Sequence, residues 1–150
     1  MKPEYCERIP AITKGISAFI PTELQISSLF RGRTTDLWEM AESLTDGGCS
    51  FVIILRGEKG YWLYDASAKK KYVVPVYPTK WIDPTGADDV FAGAFLGEYK
   101  NSYDPLQAVI HGSVAASFAV EGSGAFYCMD RLPGLEIARA ESIHPLIKTV

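Results

Sequence analysis

Two adjacent carboxylates, Asp88 and Asp89, close the small-residue run Asp83-Pro84-Thr85-Gly86-Ala87 and precede Val90-Phe91-Ala92-Gly93-Ala94-Phe95-Leu96. This order predicts a loop that opens directly into an amphipathic helix, with a carboxylate on its first turn. The first amides of a helix have no intrahelical acceptor and carry the positive end of the macrodipole. Small residues let an anion close on those amides, so the loop reads as a phosphate cradle. A carboxylate beside a phosphate is unfavourable unless it has chemical work, such as taking the proton of an attacking hydroxyl. Amides for developing charge and a base that orients the nucleophile are the parts phosphoryl transfer needs. The plainer reading is a capped helix start with small residues for close packing. The bare pattern leaves the two readings level.

The whole run resembles the second signature of the ribokinase-like (PfkB) carbohydrate kinases, in which D-[ST]-x-G-A-G-D precedes an alanine- and glycine-rich helix. The resemblance implies Asp89 as catalytic base, with the amides of Gly86, Ala87, Asp88 and Asp89 forming the anion hole. It also implies a monovalent cation, K⁺, at Asp83 and Thr85, with Ala119, Gly122 and Gly124 continuing the cation loop. Asp88 departs from the pattern, standing where a third small residue is expected. Its amide can still donate, but its carboxylate adds negative charge near the phosphates unless it turns outward. Successive helical residues diverge by about 100°, so Asp88 and Asp89 need not face the same way.

Further along the chain, Leu55-Arg56-Gly57-Glu58-Lys59-Gly60 is similar to the family's x-x-G-x-x-G nucleotide turn. Leu55, Gly57 and Gly60 are thereby implied in nucleotide binding, against the plain alternative of a hairpin connection. Ser113 and Ala116 fall on the helix that lines the adenine pocket in the family, where tight packing by small residues is the competing explanation. Thr22 and Gln25 stand where the family carries N-x-x-E, tied to magnesium and phosphate. Gln is a poorer partner than Glu for hydrated Mg²⁺, whereas Thr-x-x-Gln makes a good helix cap. The cap is the expectation here, with altered metal handling.

The chain length of 150 residues suits one sizeable core. A net charge of −3 gives no electrostatic footprint for nucleic acid or an anionic membrane surface. No apolar run reaches bilayer length and no signal-peptide pattern opens the sequence, so a cytoplasmic location is expected. Cys6, Cys49 and Cys128 show no metal-ligand spacing and are expected as reduced thiols. His111 and His144 have no ligand-like partners. The Walker pattern G-x-x-x-x-G-K-[ST], the dinucleotide fingerprint and the G-x-S-x-G elbow are all absent from the sequence.

The elements that must position these residues are legible in outline. Ile16 to Ile20 predicts a short buried strand ended by Pro21, and Thr22 to Gln25 opens a helix. A second helix is expected from about Thr35 to Leu44, with Leu37, Met40, Ala41 and Leu44 on one face and Gly47-Gly48 as its stop. Phe51 to Leu55 is a continuous apolar run, as in a parallel strand covered on both faces. Tyr61 to Tyr64 and Tyr72 to Val76 predict a hairpin around a tip from Asp65 to Lys71. Helices are expected at about Asp88 to Tyr99 and from Asp104-Pro105 to about Val120, ended by Glu121 to Gly124. The last 25 or so residues carry at most one amphipathic helix.

Strands alternating with helices give an α/β fold with a mostly parallel sheet flanked by helices. The order resembles the C-terminal half of the ribokinase-like fold. Residues 1–150 are thus expected to be a partial kinase domain, bearing nucleotide-binding and catalytic parts without the N-terminal sugar-binding half and lid. The missing half or a homo-oligomer is the expected partner. The implied activity is phosphoryl transfer from ATP with Mg²⁺ to a sugar or related hydroxyl acceptor, the isolated chain being inactive. A non-catalytic nucleotide-binding or interaction module is the alternative.

Overall fold

A computed structural model of the chain describes residues 11, 13–124, 126–129 and 131–150. Cys6 therefore lies outside the described residues. Cys49 and Cys128 carry free thiols.

Five strands form one sheet in the order β1 (Ala18–Phe19), β2 (Phe51–Leu55), β3 (Tyr61–Asp65), β4 (Lys70–Val74) and β5 (Lys148–Thr149). β1 and β2 run parallel, with Ala18 opposite Phe51 and Phe19 opposite Val52. A parallel bridge between Thr22 and Leu55 extends the pairing. All five residues of β2 are buried, as its unbroken apolar run requires. The short returns from β2 to β3 and from β3 to β4 permit only antiparallel neighbours. The Ala66 amide donating to the Ser50 carbonyl at 3.1 Å agrees with that direction for the first pair. The sheet is mixed. The hairpin tip is tighter than the sequence predicts because Asp65 closes it: Asp65 Oδ1 accepts from the Ser67 and Ala68 amides at 2.9 and 3.2 Å.

The described residues divide into two compact units. The first takes the chain up to Gly57 with Trp62–Tyr72 and Thr149–Val150. It holds α1 (Glu23–Leu29) and α2 (Leu37–Asp46). Thr22 caps α1 in a full capping box, its Oγ1 accepting the Gln25 amide at 3.2 Å while Gln25 Oε1 accepts the Thr22 amide at 2.9 Å. Asp36 caps α2, whose first residue, Leu37, lies two residues beyond the start the periodicity predicts. Ile26, Phe30, Leu37, Met40, Ala41, Leu44, Val52 and Ile54 make the core of this unit.

On its flank a ladder of charges and rings crosses several elements. Glu23 meets Arg56 at 2.8 Å. Arg56 lies 4.3 Å over Trp62, and Trp62 stacks on Trp38 at 4.3 Å with 10° between planes. Lys71 lies 5.7 Å over Trp38 and meets Glu42 at 2.7 Å. A stacked aromatic pair contributes about 0.5–1.5 kcal/mol beyond its buried area.

The second unit takes Glu58–Tyr61 and Val73–Lys148. Its helices are α3 (Ala87–Ser102), α4 (Pro105–Ala119) and α5 (Leu135–Ile143). Asp104 caps α4, with Pro105 in the first turn. Buried residues occur all round α4, from Ala108 to Phe118, so this helix is the centre of the unit rather than a surface helix. Gly112 permits the close approach of α3, since a Cβ there would meet the Phe91 ring at 2.8 Å. Phe91 in turn stacks on Tyr61 at 4.5 Å, and both Phe91 and Phe95 are fully buried.

Gly60, a candidate nucleotide residue, has a packing reason of its own. Its φ is +88°, and a Cβ would lie 2.3 Å from the Val74 carbonyl oxygen. Gly57 has φ +58° but open space around it. Gly60→Ala is therefore expected to destabilise the chain by at least about 2–3 kcal/mol. Gly57→Ala should cost only the about 1–2 kcal/mol of a left-handed backbone. Urea unfolding of the two variants checks this, and equal losses would remove the Val74 contact as the cause.

Candidate active site

The predicted loop and helix form as a unit. Gly86 is the N-cap of α3 at φ 79°, ψ 0°, a conformation that favours glycine, and no side chain caps the helix. Thr22, Asp36 and Asp104 do supply side-chain caps to α1, α2 and α4; Gly134, ahead of α5, does not. The Ala87 amide donates to the Pro84 carbonyl at 3.1 Å, which tightens the turn and removes that donor from an anion. The amides of Gly86, Asp88 and Asp89 have no such partner among the described residues. They are the donors left at the positive end of a helix of 16 residues. Gly86, Asp88 and Asp89 are exposed.

Asp83 anchors the other side of the loop. Its Oδ1 accepts the Thr85 amide at 3.0 Å and its Oδ2 accepts Ser123 Oγ at 3.1 Å. The Thr85 side chain, then the Thr85 amide, then Ser123 hold the Asp83 carboxyl below the usual carboxylate range. The Ile82 and Asp83 amides both donate to the Val120 carbonyl, at 2.7 and 3.2 Å. The segment after α4 is thereby brought to Asp83. Asp83, Thr85 and Ser123 present oxygens, the donor type a hard monovalent cation takes. Gly122 packs against Tyr127, whose ring a Cβ would meet at 2.3 Å, and Gly124 has φ +101° in open space. Ala119 ends α4.

Ser113 and Ala116 lie inside the second unit, at 1% and 5% exposure. Ser113 Oγ donates to the Pro75 carbonyl at 3.2 Å, so the packing explanation is sufficient for it in this chain. Leu55 is buried at the end of β2. In the first unit, Thr22 and Gln25 are consumed by their capping box and offer no carboxylate, so they do not fit a magnesium site.

Five residues that sequence reasoning passed over bear on the site. Ser123 sits in the Gly-Ser-Gly stretch, visible in sequence only as a helix breaker. Glu121 accepts from Thr79 Oγ1, and from Arg139 Nη2 at 2.7 Å. The fifth, Tyr61, is buried; burial pushes its phenol above the ordinary value, the Asp88 charge adds to this, and a hydrogen bond with Ser113 opposes it. Asp88 itself is raised, first by partial burial and then by the Asp89 charge.

The family profile described as pfkB family carbohydrate kinase matches residues 2–132, and the chain belongs to that family. A cytidine kinase of Thermococcus kodakarensis is 35% identical over 112 residues, covering 73% of this chain and 39% of the relative. A deoxyribokinase of Salmonella typhi is 32% identical over 111 residues, covering 71% and 35%. The crystal structure of a candidate ribokinase II from E. coli, in complex with ATP and Mg²⁺, superimposes with TM-score 0.74 at 25% identity. It covers 95% of this chain and 44% of that one. The ribokinase-like α/β fold is thus shown, and the chain spans less than half the length of these relatives. No helix among the described residues is long and apolar enough to cross a membrane.

Asp88 sets a pH dependence whose sign follows from its raised folded-state pKa. Ionised Asp88 opposes folding, and that opposition is absent well below the ordinary carboxylate range and complete above the raised value. Asp88→Asn should therefore melt higher than the parent chain near neutral pH and lose this advantage at about pH 3. Thermal melts at the two pH values check it; an advantage that grows on acidification would reverse the assignment.

Proposed function

We propose that the chain is the nucleotide-binding and catalytic part of an ATP-dependent kinase that phosphorylates a hydroxyl of a sugar or nucleoside. The observation that carries this is the uncapped, left-handed Gly86 turn, with open first-turn amides and Asp89 beside them, in a chain of the pfkB family. The acceptor class is drawn from the printed names of its relatives, a cytidine kinase and a deoxyribokinase. Those kinase names do not favour the non-catalytic alternative.

In this reading Asp89 takes the proton of the acceptor hydroxyl as its oxygen forms a bond to the γ-phosphorus. The bond from that phosphorus to the β,γ-bridging oxygen breaks, and ADP leaves. The amides of Gly86, Asp88 and Asp89 donate to the transferring oxygens, where fixed dipoles need no reorganisation. Mg²⁺ bound with ATP neutralises phosphate charge. Asp83, Thr85 and the Gly122–Gly124 loop would hold K⁺, which would offset negative charge near the phosphates. Leu55, Gly57 and Gly60 serve the nucleotide turn, and the Ser113 and Ala116 helix supports the adenine side.

The test is ATP-dependent product formation on a panel of pentoses and nucleosides, using the longest open frame that contains the chain. Asp89→Asn should lower kcat by about 10²-fold or more, because Asn keeps the size but cannot act as base. Its ATP affinity should stay within a few-fold, and a rate loss under about tenfold would remove Asp89 from this role. Replacing K⁺ by a large organic cation should reduce turnover in the same assay. Unchanged rates would separate Asp83 and Thr85 from cation binding.

A further inference from the structure

The structure assigns Arg139 as a positioning residue for the Asp83–Asp89 loop, acting through Glu121. The proposal rests on the phosphoryl-transfer reading for the importance of that loop, but not for the geometry. Arg139 lies on α5, its side chain 8% exposed, where a guanidinium is costly unless its bonds are fixed. Nη1 donates to Ser117 Oγ at 2.8 Å and Nη2 to Glu121 Oε1 at 2.7 Å. The guanidinium carbon lies 3.9 Å over the Phe118 ring and 4.4 Å over Tyr77. It is held from two sides by rings and at its edge by Ser117 and Glu121.

Glu121 Oε1 also accepts from Thr79 Oγ1. That one oxygen joins the segment leaving α4 to the segment entering the anion loop. Two further links close the ring: the Val120 carbonyl takes the Ile82 and Asp83 amides, and Ser123 donates to Asp83. Each of these bonds is to a short segment between β4 and α3 that has no regular structure of its own. Arg139 supplies the fixed point, because Ser117 and Phe118 belong to the buried central helix. If Arg139 served only to hold α5 on α4, an aliphatic side chain would do as well, and Thr79 would have no part. The fork of the guanidinium is what reaches Ser117 and Glu121 together.

Amide hydrogen exchange on the 150-residue chain separates positioning from general stability. In Arg139→Gln, exchange at the Ile82 and Asp83 amides should rise more than about tenfold beyond the rise at the buried Phe95 amide of α3. Arg139→Lys, which can still donate to Glu121, should recover part of the protection. Should Arg139→Gln fail to fold, Glu121→Ala, which removes the shared oxygen, is read instead, with the same local rise expected. A rise at Ile82 and Asp83 that merely matches Phe95, or none, overturns the proposal. ATP titrated into the unmutated chain, followed at the Gly86 and Asp89 amides, tests the underlying reading separately. Shifts confined to other residues would remove the phosphate cradle and leave the Arg139 assignment to stand on exchange alone.

Discussion

The Val120 carbonyl, left without an intrahelical partner at the end of α4, accepts the amides of both Ile82 and Asp83. A helix end always leaves such acceptors, and most are satisfied by water or by the chain that follows. Here the partner is a segment nearly 40 residues upstream in sequence, and that choice puts a loop with little structure of its own against the most buried helix of its unit. From Asp83 onward the geometry then follows locally. Asp83 takes the Thr85 amide, Gly86 turns left-handed, Ala87 closes on Pro84, and α3 begins with three amides still open. Without the Val120 bonds, the loop would keep only its side-chain links, Ser123 to Asp83 and Thr79 to Glu121.

The charge balance at this helix end is unusual. Its amides attract anions, yet Asp83, Asp88 and Asp89 all lie within one short loop and first turn. Asp83 spends its charge on three donors, and burial and then the Asp89 charge raise the Asp88 pKa. Asp88 and Asp89 are both exposed. Any polyphosphate approaching this end therefore needs accompanying cations, which fits a nucleotide that arrives as a metal complex better than a bare phosphate.

What the sequence shows of this arrangement is its local part. Caps and breakers are written in adjacent residues, so Thr22–Gln25, Asp104-Pro105 and the Gly86 turn are all legible, each within a residue or two. The α2 start moves from Thr35 to beyond Asp36 because the Asp carboxylate takes two amides, a choice among neighbours that periodicity does not see. The hairpin tip shortens for the same reason at Asp65. The capping-box explanation of Thr22 and Gln25 stands, because both halves of the box form. The contacts hidden from sequence are those across long separations. Ser123 reaching Asp83, Thr79 reaching Glu121, and Arg139 reaching Ser117 depend on three chain segments meeting, and no spacing rule encodes that. Gly60 is the mixed case: a glycine legible as a turn, whose need for a bare Cα is set by a carbonyl on β4.

The Trp38–Trp62 stack has an optical consequence. Two indoles 4.3 Å apart and nearly parallel are close enough for their excited states to couple, and a guanidinium resting on one of them perturbs its emission. That guanidinium belongs to Arg56, the residue covalently ahead of Gly57. The chain thus carries a built-in chromophore pair wired to the start of its glycine turn, so that a displacement of that backbone would change colour and polarisation before it changed anything chemical.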